Sequence, residues 1–131
     1  MNAPANPIET SATVFSDAPM RVALVILGAA IGAPLRFVID QYMRKFSSAP
    51  WGTFVVNILG SFVIGLTWGA SENTVALVAI GFAGAFTTWS TFMLDIYFAL
   101  EQKKFRVAAI NYIGSLLIGL FAAAIALNLV S

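Results

Sequence analysis

The stretch Gly84-Ala85-Phe86-Thr87-Thr88-Trp89-Ser90-Thr91-Phe92 decides how this chain folds. It places four hydroxyl groups within five residues and surrounds them with three aromatic rings. The sequence on both sides is strongly apolar, so these hydrogen-bond donors and acceptors fall in the middle of a segment suited to lipid. A helix that only crosses a membrane does not need them. The cluster therefore indicates a change in the backbone path, a polar site, or both.

The composition indicates a membrane protein. Of the 131 residues, 60% are hydrophobic and only 10% are charged, whereas soluble domains have about 25% charged residues. A soluble chain of this length could not bury so much apolar surface in one core. A net charge of +1 argues against a nucleic-acid partner. Because cysteine and histidine are absent, a disulfide framework, a zinc site and an imidazole base are excluded.

Hydropathy predicts an all-α membrane protein with four transmembrane helices. These are expected over Arg21–Met43, Phe54–Ala70, Thr74–Leu100 and Val107–Val130. As an unbroken helix the third would be about 40 Å long, against a hydrocarbon core of about 30 Å, so we expect a break near its middle. Residues 20–131 thus form one four-helix transmembrane domain. Residues 1–19, rich in Pro, Ser, Thr and Ala, are expected to be a disordered tail.

Loop charges predict the orientation in the membrane. The loops after the first and third helices have five basic residues, namely Arg44, Lys45, Lys103, Lys104 and Arg106. The opposite side has Arg21 alone. Because short loops rich in Lys and Arg stay in the cytoplasm, we predict a multi-pass protein of the plasma membrane with both termini outside.

Polar residues on the first two helices form stripes. In the first helix the stripe consists of Gly28, Gly32, Arg36 and Asp40, spaced four residues apart on one face. The glycines allow another backbone to approach closely, and Arg36 is expected to pair with Asp40. Either the two charges face protein or water, or they lie near the interface. In the second helix the stripe consists of Thr53, Asn57 and Ser61.

The cluster in the third helix predicts a helix break. Ser and Thr hydroxyls often bond to a carbonyl four residues earlier, so hydroxyls alone are weak support. Four of them so close together, however, point around most of the helix. Gly81 and Gly84 lie just upstream, where glycine permits unusual dihedral angles. The segment therefore favours exposed carbonyl groups followed by a polar and aromatic lining.

On these residues the chain resembles the Fluc-type fluoride channels, the CrcB family. The resemblance covers residues 22–131 and rests on three motifs, which are Gly32-Ala33-Pro34-Leu35-Arg36, Gly52-Thr53-Phe54-Val55-Val56-Asn57 and Gly81 through Phe92. Tyr112-Ile113-Gly114 adds weaker support. The family's proteins are antiparallel dimers of four-helix chains. The resemblance therefore implies a fluoride channel and such a dimer, and it implies that the chain is not an enzyme.

The resemblance also implies roles for individual residues. The backbone carbonyls of Gly84 and Thr87 are expected to bind a structural Na⁺ on the dimer axis, together with the same pair from the second chain. The fluoride path is expected to be lined by Asn57, Trp89, Ser90, Thr91, Phe92 and Tyr112. Arg36 is expected at the mouth of the pore or in helix packing. The family usually has Phe at the position of Trp89.

Two questions stay open from the sequence. The chain forms either a homodimer or a heterodimer with an oppositely oriented paralogue, because a strong charge bias favours a single orientation. Its function could instead be that of a small multidrug-type proton-coupled exporter, which needs a membrane-embedded carboxylate, or of a non-conducting membrane assembly subunit. For the exporter, only Asp40 and Asp95 come into question.

Overall fold

The computed structural model describes the backbone of residues 7–131 and the side chains of residues 16–131. The helical segments are α1 (Pro7–Arg44), α2 (Trp51–Leu66), α3 (Glu72–Thr74), a π-helix (Val75–Ala83), α4 (Gly84–Phe86), α5 (Ser90–Glu101) and α6 (Phe105–Val130). Residues 7–131 contain no β-strand. Three stretches of this part of the chain are long and apolar enough to cross a membrane, and they are Ser16–Arg44, Glu72–Glu101 and Phe105–Val130. The predicted all-α membrane protein is confirmed.

A disordered tail is predicted over residues 1–19, and residues 1–6 lie outside the described residues. Helix α1 is described from Pro7 onward. Adding residues to an existing helix avoids the cost of nucleation, which favours helix where composition alone predicts none.

Helix α2 begins and ends earlier than the predicted Phe54–Ala70. It follows Pro50 directly and stops at Leu66. The N–H and the hydroxyl of Thr67 both donate to the carbonyl of Ile64, which tightens the last turn. Gly69 then takes a positive φ of 72° and turns the chain. At 16 residues α2 is shorter than a typical membrane-spanning helix.

Helix α1 packs mainly against the π-helix, and glycine makes this contact possible. A side chain at Gly28 would collide with the carbonyl oxygen of Leu77, and one at Gly32 with that of Phe82. From the other side, a Cβ at Gly81 would lie 2.6 Å from the carbonyl oxygen of Val25. The two backbones are therefore in direct contact, as the spacing of the glycines in α1 predicts.

Helix α2 packs mainly against α6, which completes the bundle. The two helices are close at Gly65, where a Cβ would lie 2.5 Å from the carbonyl oxygen of Ala123. Many large apolar side chains remain exposed on the outside of the bundle, among them Ile26, Leu117 and Leu129. Such a surface suits contact with lipid or with a second chain rather than with water.

The segments from α3 to α5 form the third span, residues 72–101. The π-helix and α4 run into each other, and Gly84 has ordinary helical angles (φ −61°, ψ −37°). Thr87 then adopts an extended conformation (φ −77°, ψ 161°), and helix resumes at Ser90. Residues 87–89, which we call the connecting segment, thus join the two halves of the span.

Candidate functional site

The connecting segment departs from helix at Thr87, not at a glycine. The N–H and the hydroxyl of Thr87 both donate to the carbonyl oxygen of Ala83, each at 2.9 Å. This closes the first half of the span before the chain turns. Gly81 and Gly84, expected to permit the unusual dihedral angles, are both helical. Gly81 serves close packing, and the change of direction falls on Thr87, after which the backbone of Thr88 needs partners outside the helix.

Those partners are supplied by Asn57 from the middle of α2. The N–H of Thr88 donates to Asn57 Oδ1 at 2.8 Å, and Asn57 Nδ2 donates to the carbonyl oxygen of Thr88 at 3.1 Å. In an unbroken helix this N–H would donate to the carbonyl of Gly84 four residues earlier. An unpaired backbone group is costly in an apolar interior. The side chain of Asn57 therefore supplies the hydrogen-bond partners that the backbone of Thr88 would otherwise find within a helix.

The hydroxyl of Thr88 organises the start of α5. It accepts a hydrogen bond from the N–H of Thr91 at 3.3 Å and donates to the hydroxyl of Thr91 at 3.2 Å. Its oxygen also lies 3.4 Å from that of Ser90. The first N–H groups of a helix have no partner within it, so a side-chain acceptor here stabilises the helix end. Thr88 was not predicted as a site residue, although it is one of the four hydroxyls of the motif.

Arg36 of α1 also contacts the connecting segment. Its Nη1 donates to the carbonyl oxygen of Thr87 at 3.3 Å. The predicted pair between Arg36 and Asp40 is wrong, because Asp40 accepts from Arg44 Nε at 2.8 Å instead. Arg44 lies four residues after Asp40 and its other end is 3.9 Å from Asp95. Because Arg44 binds Asp40, the guanidinium of Arg36 is available to the backbone carbonyl of Thr87.

A cleft of about 190 Å³ lies beside the connecting segment. Its lining consists of Asn57, Trp89, Phe92, Tyr112, Ser115 and Leu116. The ring of Phe92 stacks on that of Tyr112 with centroids 6.0 Å apart, and the ring of Trp89 lies 5.7 Å from that of Phe92. Phe92 is buried, whereas Trp89 is 68% exposed. Trp89 is thus free to contact a second chain or lipid.

A second cavity of about 140 Å³ also borders the connecting segment. It is lined by Arg36, Phe37, Asp40, Thr53, Val56, Thr88 and Thr91. Thr53 is only 1% exposed, and its hydroxyl lies beside the carboxylate of Asp95. One oxygen of Asp40 is buried without a hydrogen-bond partner among the described residues. This cavity therefore combines a guanidinium, a carboxylate and several hydroxyls.

The residues expected along the fluoride path are divided between these two places. Four of them, Asn57, Trp89, Phe92 and Tyr112, meet at the first cleft. Thr91 lines the second cavity, and Ser90 is exposed beside Thr88. Ser115 was not predicted for the path. The signal for it was its place on one face of α6 with Asn111, whose Oδ1 accepts from its hydroxyl at 3.2 Å.

The oxygen atoms near Gly84 have the chemistry that a hard cation requires. Because the N–H of Thr88 is bound to Asn57, it does not serve the carbonyl of Gly84, and Gly84 itself is exposed. The last carbonyls of a helix also carry its negative partial charge. No group of His, Cys, Asp or Glu side chains among the described residues could hold a metal ion. Cation ligands here would therefore be backbone carbonyls.

Comparison with known proteins gives consistent matches over most of the chain. Residues 23–127 match a family model described as "CrcB-like protein, Camphor Resistance (CrcB)". A protein of Parabacteroides distasonis named fluoride-specific ion channel FluC is 37% identical over 111 residues, covering 79% of this chain and 87% of that protein. A FluC of Pseudoalteromonas translucida is 39% identical over 116 residues, covering 82% and 97%. FluC 1 of Frankia casuarinae is 41% identical over 115 residues, covering 78% and 89%.

Proposed function

Because this chain belongs to the CrcB-like family, we propose that it is a fluoride-selective channel through which fluoride leaves the cytoplasm by passive flux. Its relatives carry the name of an ion channel, and the chain is not an enzyme. The observation that carries the proposal is the cleft in which an amide, a phenol and a hydroxyl converge beside two stacked rings.

The lining of the cleft suits a small anion that must lose its water. Asn57 and Tyr112 offer N–H and O–H donors, and the edges of aromatic rings carry positive partial charge. The cleft lacks a carboxylate among its lining residues, so the described part of the chain places no fixed negative charge there. Each donor is modest, and conduction requires sites weak enough to release the ion. Trp89, which lines the cleft, is exposed, and this supports the idea that a second chain completes the path.

We propose that the carbonyls of Gly84 and Thr87 hold a structural Na⁺ together with the same atoms of a second chain. The residues fit this ion, because both groups are hard oxygen donors at the end of a half-helix. One lone pair of the Thr87 carbonyl faces Arg36, so the carbonyl's other lone pair remains for the cation. When bound, Na⁺ would supply a fixed positive charge between the chains.

The functional unit on this proposal is an antiparallel dimer. Gly84 and Trp89 are exposed close to each other in sequence, which leaves this face available for a second chain. The loop charges favour an orientation with both termini outside. The second chain is then either an identical copy inserted the other way or a paralogue. Fluoride flux from the purified chain alone in liposomes supports a homodimer, and its absence unless a paralogue is added supports a heterodimer.

The alternatives explain less of the structure. A proton-coupled exporter needs a carboxylate free to exchange protons and bind drugs, but Asp40 and Asp95 share the guanidinium of Arg44. An assembly subunit that merely docks on partner helices requires neither the connecting segment nor the cleft.

A fluoride-electrode assay tests the proposal. Liposomes loaded with fluoride and containing the purified chain should release it when the potential is clamped with K⁺ and valinomycin. Chloride-loaded liposomes should release far less, and Tyr112→Phe should slow fluoride release by removing one donor. If fluoride and chloride leave equally fast, or if neither leaves with or without a paralogue, the proposed function is wrong.

A further inference from the structure

We infer that Asn57 is a positioning residue whose main task is to hold the connecting segment in its extended path, and that lining the anion path is its second task. The consequence of this role for fluoride conduction rests on the proposed function. The contact itself, however, is a property of the chain without any ion.

The contact between Asn57 and Thr88 is made at two points. Oδ1 accepts from the N–H of Thr88, and Nδ2 donates to the carbonyl of the same residue. A β-strand would satisfy an extended residue in this way, but residues 7–131 contain no strand. A primary amide, as in Asn or Gln, offers a neutral donor and a neutral acceptor in one plane at any pH. The residue type thus matches the backbone that it serves.

Helix α2 is shaped to receive the connecting segment at this point. Gly60, almost one turn after Asn57, has no side chain, and a Cβ there would collide with the methyl group of Thr87. The backbone carbonyl of Asn57 accepts from the hydroxyl of Ser61 at 2.8 Å. The side-chain amide of Asn57 makes a separate contact, with Thr88. Asn57, from the polar stripe of α2, and Gly60 thus both contact the connecting segment.

The contact between Asn57 and Thr88 also affects the start of α5 and the cleft. Thr88, once held by its backbone, places its hydroxyl on the N–H of Thr91 and so sets the first turn of α5. Trp89 directly precedes that turn, Phe92 lies within it, and both line the cleft. The amide of Asn57 has two N–H groups and Thr88 occupies one, so the second can still face the cleft.

Hydrogen exchange measured without fluoride separates the two tasks. In Asn57→Leu, the amide of Thr88 loses its acceptor, and we expect its exchange to speed up roughly tenfold, the equivalent of about one net hydrogen bond. Overlapping peptides across residues 86–90 give the readout by mass spectrometry. The matched control is Asn111→Leu, the same change in a buried amide of α6, which should leave exchange at Thr88 unaltered. A residue that only donates to the anion would not alter exchange when no anion is present.

A second variant keeps the test valid where Asn57→Leu does not fold. Asn57→Asp retains the acceptor but turns a negative oxygen toward the carbonyl of Thr88. Relative to wild type at the same pH, Thr88 should exchange faster at pH 8 than at pH 5, where a protonated carboxyl donates again. Asn128→Asp, which carries the same charge change near the end of α6, should show no such difference at Thr88.

Unchanged exchange at Thr88 in Asn57→Leu, or in Asn57→Asp at both pH values, overturns the positioning role even where fluoride release is lost. The reverse combination is also informative. Faster exchange in the variants of a protein that conducts no fluoride would support the positioning role and contradict the proposed function, so the two failures are distinguishable.

Discussion

Arg36 in α1 and Thr87 in the connecting segment, 51 positions apart in sequence, are joined by a hydrogen bond of 3.3 Å from a guanidinium to a backbone carbonyl. With Asn57 holding the carbonyl of Thr88, two different helices hold two successive carbonyls. Arg36→Gln should lower the free energy of unfolding by about 1.5–3 kcal/mol, the range for hydrogen bonds to charged groups. Because the pair is only partly buried, we expect the lower end.

Unfolding in mixed micelles measures this effect. Arg106→Gln is the control, since Arg106 is exposed in the first turn of α6 and should change stability little. Equal losses in the two variants would mean that Arg36 contributes only its charge.

The packing of α1 on the π-helix predicts opposite outcomes for two Gly→Ala changes. In Gly28→Ala the new methyl group meets the backbone carbonyl of Leu77, which cannot move aside as a side chain can. We expect a loss of at least about 1–3 kcal/mol, the cost of overpacking. In Gly114→Ala the nearest atom is Phe54 Cε2 at 3.9 Å, an ordinary contact. Stability should stay the same or rise by up to about 1 kcal/mol, because alanine favours helix.

Thermal unfolding of the two variants beside the wild type provides the measurement. A Gly28→Ala protein as stable as Gly114→Ala would contradict the direct backbone contact between α1 and the π-helix.

The sequence predicted the parts of this fold that depend on repeated patterns. Apolar runs of helical length identified the membrane class and the helices, and the four-residue spacing of Gly28 and Gly32 identified a close helix contact. The end of α2 was placed too late because hydropathy continues past Leu66, whereas a turn at Gly69 decides the boundary. Local backbone chemistry is invisible to a hydropathy average.

The site was harder to predict because its contacts join residues far apart in sequence. Asn57 could be singled out as a polar residue in an apolar helix, but nothing near it indicates that its partner is the backbone of Thr88, 31 positions later. Arg36 was expected to pair with Asp40 because helical spacing favours that pair. Arg44 competes for Asp40 at the same spacing, and only the three-dimensional arrangement shows which of them binds it.

The buried hydroxyl of Thr53 predicts a variant that does not lose stability. This hydroxyl lies beside the carboxylate of Asp95 but forms no hydrogen bond of ordinary geometry among the described residues, so burying it costs free energy. In Thr53→Val a methyl group of similar size replaces it, and the free energy of unfolding should stay the same or rise by about 1 kcal/mol. Thr67→Val is the matched control at the other end of α2. Its hydroxyl donates to the carbonyl of Ile64 at 2.6 Å, so the change should cost about 0.5–1.5 kcal/mol.

Unfolding in mixed micelles compares the two valine variants. A loss in Thr53→Val as large as that in Thr67→Val would show that the hydroxyl of Thr53 donates a stabilising hydrogen bond to the carboxylate of Asp95.

Gly84 tests the dimer and its proposed Na⁺ together. Within one chain an alanine fits here, because the backbone is helical and a Cβ would lie 3.7 Å from the nearest atom, the carbonyl oxygen of Ala79. The helical content of Gly84→Ala should therefore equal that of the wild type. In the proposed dimer the same glycine faces its copy across the cation, so the added methyl group should separate the chains.

We accordingly expect the wild type to be a dimer whose thermal midpoint rises when N-methylglucamine is replaced by Na⁺, because an ion bound only by the folded dimer stabilises it. Gly84→Ala should be largely monomeric by light scattering and should lose this response. Gly114→Ala, which makes the same change away from the connecting segment, should keep both. A Gly84→Ala protein that remains a Na⁺-stabilised dimer would place the cation elsewhere or remove it from the proposal, because the carbonyl of Gly84 could not then lie between two closely packed chains.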